Sequence, residues 1–161
     1  MKEEVDIMKK WFRFLIWLAV IAYAAFIFSN SLMDGEASGA WSYTIANKIA
    51  RALEVRGIYM NMSTFHHYLR KMAHFLEFFG LGSLVAIAIA TCPLFRSRLL
   101  NFVLFLIAVP CSDELIQYYV PGRANSIKDV IIDMSGMICG GFCIYVCWLI
   151  IKDLFFRHKE A

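Results

Sequence analysis

Charge is scarce in this sequence. Asp, Glu, Lys and Arg make up 18% of its 161 residues, where an ordinary globular domain carries roughly 25%. That argues against a soluble enzyme, whose surface needs such residues. Disorder is disfavoured too, because disordered chains are poor in apolar groups. Neither sign dominates. Sixteen Lys and Arg face 13 Asp and Glu, for a net charge of +3, too little to hold a polyanion such as nucleic acid. Proline occurs only three times, and no internal repeat, low-complexity tract or Pro/Ser-rich linker divides the chain, so a single membrane domain over 1–161 is expected. No HExxH zinc signature occurs, and no Gly-x-Ser-x-Gly serine or catalytic cysteine is in sight, which disfavours covalent catalysis. Cysteine numbers five, an odd count. Cys139, Cys143 and Cys147 recur every four residues and are predicted to form an apolar, disulfide-free packing stripe.

Apolar residues, by contrast, make up 60% of the chain, and its mean hydropathy is +0.61. Four long runs lack Asp, Glu, Lys and Arg: Phe14–Met33 (20 residues), Phe78–Phe95 (18), Leu99–Ser112 (14) and Met134–Ile151 (18). A spanning helix needs roughly 17–25 mostly apolar residues, so three runs qualify directly. The third spans only if its helix continues through Asp113, Glu114 and Gln117, placing two carboxylates at the membrane. The expected fold is all-α: an integral membrane bundle of four transmembrane helices, near 12–31, 72–92, 98–119 and 130–151. The first run exceeds the roughly 7–15 apolar residues of a signal peptide, so it is read as a retained helix. Between the first two spans, Trp41, Ile45, Ile49 and Leu53 recur at helical spacing, which predicts an amphipathic helix lying at the interface or closing over the bundle as a lid. With four spans, Cys92 and Cys111 fall near opposite membrane faces and cannot bridge. Basic residues in the short flanking segments and the tight second-to-third turn number nine, against seven in the longer connections on the other side. The positive-inside bias therefore places both termini in the cytoplasm.

Chain parity then brings the polar residues together. The end of span one, the start of span two, the end of span three and the start of span four must share one membrane side. Those four places hold Ser29 and Ser31; Arg70, Lys71, His74 and Glu77; Asp113, Glu114 and Gln117, with Arg123 just beyond; and Asp129 and Asp133. Arg70, His74 and Glu77 lie four and three residues apart, hence on one helix face. Asp129 and Asp133 are four apart. Pro110 removes a backbone hydrogen bond one turn before Asp113 and is expected to kink that helix. Charge inside a membrane is expensive and usually functional; structural ion pairing is the competing explanation for the acids and His74, and snorkelling for Arg70 and Lys71. Gly136 and Gly140 are spaced for close helix packing.

Three blocks also resemble a known family. Arg70-Lys71-Met72-Ala73-His74-Phe75-Leu76-Glu77-Phe78 resembles the RKxAHFxEY block of VanZ-like proteins. Asp113-Glu114-Leu115-Ile116-Gln117 with Pro121-Gly122-Arg123 resembles their DExxQ…PGR block, and Asp129 to Gly140 their closing DvxxDxxGxxxG helix. Phe78 stands where Tyr is common, and Ile116 where a His often precedes the Gln. The resemblance implies a bacterial cytoplasmic-membrane protein that lowers susceptibility to lipoglycopeptides such as teicoplanin. It supplies a phenotype, not a reaction.

Three activities suit such a cluster. In the first, Arg70, Lys71 and Arg123 clamp the anionic headgroup of an envelope lipid or lipid-linked cell-wall precursor in the outer leaflet, and the lipoglycopeptide is affected indirectly. Glu77, Asp113, Glu114 and Asp133 then position the cations or hold a divalent ion; Gln117, Asp129, Ser29 and Ser31 complete the binding set. In the second, the protein is an intramembrane hydrolase or transferase: His74 acts as acid or base tuned by Glu77 and Asp113, or His74, Glu77 and Asp113 ligate a metal with Glu114 as the base. A divalent metal is compatible with these residues and not required by them. The third, a transporter, is disfavoured because no charged residue continues the path through the opposite halves of the spans. Oligomeric state is not legible.

Overall fold

Helix starts are set by side chains that satisfy otherwise unpaired backbone N–H groups. In this computed structural model, which describes residues 2–123 and 125–157, five helices follow one another: α1 (Lys2–Ser31), α2 (Gly35–Glu54), α3 (Met62–Thr91), α4 (Arg98–Tyr119) and α5 (Ile127–Arg157). Asp34 accepts from Glu36 N at 2.8 Å to open α2, Asn61 from Thr64 N at 3.1 Å to open α3, and Ser97 from Leu100 N at 3.2 Å to open α4. No strand occurs among the described residues. Four of the helices, all but α2, are long and apolar enough to cross a membrane.

Several helix ends differ from the sequence expectation, and α1 already begins at Lys2, about ten residues before the expected 12. The second span was expected to begin near 72, but α3 starts at Met62, because its Asn61 cap lies further upstream and Phe65 and Leu69 continue the helical pattern. At 1.5 Å per residue its 30 residues measure about 45 Å, longer than a hydrocarbon core of about 30 Å. The first turns of α3 therefore project beyond that core, and α2 packs there. The last helix likewise extends past 130–151 at both ends. α4 runs without interruption through Pro110. Lys159, used in the orientation count, lies outside the described residues, as do the side chains of Lys2 and Arg157.

α3 is central and touches each of the other four helices. Val20 and Ile27 of α1, Phe78, Leu81 and Val85 of α3, Val109 of α4 and Met137 of α5 form one buried cluster. Lipid provides no hydrophobic drive between helices, so association in a bilayer depends on close van der Waals fit. Glycine supplies that fit between α3 and α5. A Cβ on Gly82 would collide with the Met137 backbone, one on Gly136 with the Phe75 carbonyl, and one on Gly140 with the Phe79 carbonyl. The Gly136–Gly140 spacing thus acts as expected. The cysteine stripe does not. Cys139, Cys143 and Cys147 are all exposed, on the outer surface of α5, because the glycines and Met137 occupy its packing face. All five cysteines are free.

Outside α3–α5, Trp17 Nε1 donates to the Cys92 carbonyl at 2.9 Å. Asn101 holds the α3–α4 turn through the N–H and carbonyl of Phe95, at 2.9 and 2.8 Å. At the opposite end Gly35 N donates to Pro121 O at 3.0 Å, and Gly122, at φ +72°, packs against Gly35.

Gly140→Val is expected to lower thermal stability in detergent, by about 1–3 kcal/mol if the backbones separate only partly. Gly39→Ala, where a Cβ meets nothing within 4 Å, should not lower it. Comparable melting of both variants would contradict backbone contact between α3 and α5.

Candidate functional site

Four helix ends and the α4–α5 connection meet at one end of the bundle. On α4, Asp113 is fully buried and Gln117 nearly so. Asp113 Oδ1 accepts from Ser31 Oγ of α1 at 2.5 Å, and its Oδ2 accepts from Gln117 Nε2 at 2.8 Å. The carboxylate is thus fixed in orientation by two side chains from two helices. Glu77 of α3 accepts from Asn30 Nδ2 at 3.0 Å, which ties α1 to α3 at the same level.

On α3 the helical period sorts neighbours into different directions. Arg70, Ala73, His74 and Glu77 line a cavity. Lys71, one residue on from Arg70, points to α5 and forms an ion pair with Asp129. Between these directions, His74 Nδ1 comes to 3.5 Å from Asp133 Oδ1. Asp133 is completely buried. Neither of its oxygens has a hydrogen-bond partner among the described residues, and neither has His74 Nδ1. Glu114 Oε2 accepts from Ser126 N at 2.8 Å and anchors the α4–α5 connection, while its buried Oε1 is unpartnered.

Arg123 reaches back from that connection to the end of α1. Its Nη2 donates to the Asn30 carbonyl at 2.6 Å and its Nε to the Met33 carbonyl at 3.1 Å, a favourable place for a cation beside the last carbonyls of a helix. Burial, and then the like charge of Arg70, lower its pKa from the ordinary value, while Asp113, Glu77 and Glu114 pull it up. A guanidinium stays protonated under such opposing influences.

The cavity holds about 580 Å³. Phe26 of α1, Trp41 and Ile45 of α2 and Leu69 of α3 form an apolar wall; Arg70, His74, Glu77 and Arg123 form a polar one. α2 borders the cavity as a partial lid. Its buried contact is Ala46, whereas Trp41, Ile45 and Ile49 are exposed, so the apolar stripe faces the cavity mouth and the surroundings more than the bundle.

The structure thus brings together Ser31, His74, Glu77, Asp113, Gln117, Arg123 and Asp133, with Arg70 on the cavity wall. Lys71 and Asp129 pair at the edge, and Glu114 secures the connection beside them. Ser29 does not join: it is exposed and donates to the Phe26 carbonyl of its own helix at 2.7 Å, because the next residues, Asn30 and Ser31, take the inward directions. Sequence reasoning did not select Asn30, although a polar amide beside Ser31 was the available signal. It also missed Ser42, whose Oγ lies 2.7 Å from His66 Nε2. That hydroxyl donates to Gly39 O at 3.0 Å, so it accepts from the imidazole. The pair fastens α2 to α3 and is not an activated nucleophile.

Lys71→Ala is expected to destabilise the protein, leaving the nearly buried Asp129 without its cation. The effect should be about 1–3 kcal/mol, below that of a fully buried pair because Lys71 is partly exposed. A double-mutant cycle with Asp129→Asn measured by thermal unfolding checks this; strictly additive losses would contradict a direct ion pair.

The polar blocks at this end fall within a longer match to a known family. No curated protein and no solved structure matches the chain. The VanZ/LLP1 family model matches residues 14–151, which takes in the whole of α3 and α4 and most of α1 and α5, and the chain therefore belongs to the VanZ/LLP1 family.

Proposed function

We propose that the cavity recognises the anionic headgroup of an envelope lipid or a lipid-linked cell-wall precursor, from the outer leaflet of a bacterial cytoplasmic membrane. The observation that carries this reading is the two-sided cavity wall. Phe26, Trp41, Ile45 and Leu69 offer an apolar surface beside two guanidinium groups, Arg70 and Arg123. An amphiphile needs both. Arg70 has no hydrogen bond or ion pair among the described residues, and its charge opposes that of Arg123. Two like charges facing one cavity are relieved by an anion, and guanidinium groups bind phosphate oxygens in bidentate fashion.

The clamp is narrower than the sequence suggested. Lys71 is neutralised by Asp129, and Arg123 also closes the end of α1, so Arg70 is the cation with the freest hydrogen-bonding capacity. Lowered susceptibility to teicoplanin-type drugs follows if occupancy changes how the acylated drug anchors among those lipids. A catalytic reading of the same cavity is favoured by one observation, His74 on its wall with the buried Asp133 behind it, which provides acid–base groups beside the bound headgroup.

Binding of a fluorescent polyprenyl diphosphate to the protein in nanodiscs tests the assignment. Arg70→Gln should weaken it roughly ten- to hundredfold, the worth of charge-assisted hydrogen bonds to one ion, while an uncharged polyprenol binds neither protein. Equal affinity of wild type and variant would remove the proposal. Orientation is checked separately: Ser38→Cys, in a background whose native cysteines are replaced by serine, should react with an impermeant maleimide from outside intact cells and not from the cytoplasmic side.

A further inference from the structure

Asp133 poses a problem that the headgroup reading does not address. It is a completely buried carboxylate with both oxygens unpartnered among the described residues. An isolated charge in such a place costs many kcal/mol, so something must neutralise or coordinate it. An ordinary His–Asp ion pair does not suffice. The His74 Nδ1–Asp133 Oδ1 separation of 3.5 Å exceeds the roughly 2.7–2.9 Å of a charge-assisted hydrogen bond.

That separation does suit two ligands of one metal ion. With ligand atoms about 2.0–2.2 Å from the ion, neighbouring donors in a tetrahedral site lie about 3.4 Å apart. A third donor is present: one ligand atom each from His74, Asp113 and Asp133 lie within 4.8 Å of one another. These residues come from α3, α4 and α5, so the set is assembled by the fold and not by one helix. Asp113 is already oriented by Ser31 and Gln117, the kind of outer support that ligating carboxylates receive. Each of its oxygens has a second lone pair for a metal. Two carboxylates balance a divalent charge, leaving a neutral imidazole to complete the set.

We propose that His74, Asp113 and Asp133 bind a divalent transition-metal ion. One nitrogen and two carboxylate donors suit Zn²⁺ or Mn²⁺ better than Mg²⁺, which prefers an all-oxygen, largely hydrated shell. His74 also lines the cavity, so the remaining coordination positions open toward it and accept water or an anionic oxygen. The site replaces the sequence-based ligand set of His74, Glu77 and Asp113: Glu77 is held by Asn30, and Asp133 takes its place. The inference stands independently of the lipid reading, because the ion alone is the ligand tested.

The test uses the full chain, purified through a tag without histidines and with the five cysteines replaced by serine, so that thiols do not contribute. After equilibration with Mn²⁺ or Zn²⁺ and desalting, about one ion per chain should remain by elemental analysis, as for a three-ligand protein site. Mg²⁺ should not be retained. Melting temperature should rise on metal addition and return on chelation. Asp133→Asn and His74→Gln should each lower Mn²⁺ affinity at least tenfold, and Gln117→Leu roughly ten- to hundredfold through loss of outer support. In chelator, Asp133→Asn should melt no lower than wild type. Lower melting there would identify a plain His74–Asp133 ion pair and overturn the proposal, as would absence of retained metal or equal Mn²⁺ binding by wild type and His74→Gln. If Asp133→Asn does not fold even in chelator, that too indicates a structural role and overturns it.

Discussion

Gly82, Gly136 and Gly140 let the backbones of α3 and α5 meet, and that approach determines what the polar end of the bundle can be. Both helices start at the same end of the bundle, so they run parallel. The residue before Phe75 is His74, and one turn before Gly136 is Asp133. Bringing the Phe75 carbonyl onto Gly136 therefore brings a histidine and an aspartate together at the depth where α4 delivers Asp113. A side chain at any of the three glycines would widen the helix pair. It would separate His74 from Asp133 and leave a completely buried carboxylate further from its nearest polar neighbour.

Within that frame, most of the ionisable residues are occupied in holding the structure. Asn30 and Glu77, Ser31 and Asp113, Arg123 and the α1 carbonyls, and Lys71 and Asp129 each join one element to another. In a low-dielectric setting such connections are worth more than at a protein surface, and leaving one half unpaired is correspondingly costly. The residues left with unfilled capacity are few. Among the described residues at this end they are Arg70 and His74 on the cavity wall, Asp133 behind it, and one oxygen of Glu114. Function is sought among these because structural pairing does not account for them.

Much of this was legible from the chain itself. Long uncharged runs, the third extended through Asp113 and Gln117, indicated the number of spans, and parity alone predicted that His74, Asp113 and Asp133 share a membrane side. What the sequence could not resolve was direction within a polar cluster. Ser29, Asn30 and Ser31 occupy three successive helical directions, about 100° apart, and only the packing of α1 on α3 and α4 decides that Ser29 turns outward. Arg70 and Lys71 pose the same ambiguity: adjacent cations diverge, one to the cavity and one to α5. The cysteines show the limit of periodicity. A stripe every four residues marks a face, but whether that face meets protein or lipid depends on a competing stripe, and here the glycines took the contact.

The position of the cavity along the bundle bears on what can enter it. α3 is longer than a hydrocarbon core is thick, and α2 packs against its projecting turns. The boundary between apolar and aqueous surroundings then falls near His74, if Thr91 marks the opposite face. On the proposed reading, the apolar wall of Phe26, Trp41, Ile45 and Leu69 meets the acyl chains where they join the headgroups, and Arg70 and Arg123 meet the headgroup itself. A soluble anion would gain only from the guanidinium side, and a neutral lipid only from the aromatic side. An anionic lipid gains from both without leaving the membrane. His74 follows Arg70 by about one helical turn, so the three-helix junction of His74, Asp113 and Asp133 adjoins the cavity through the one residue, His74, that belongs to both.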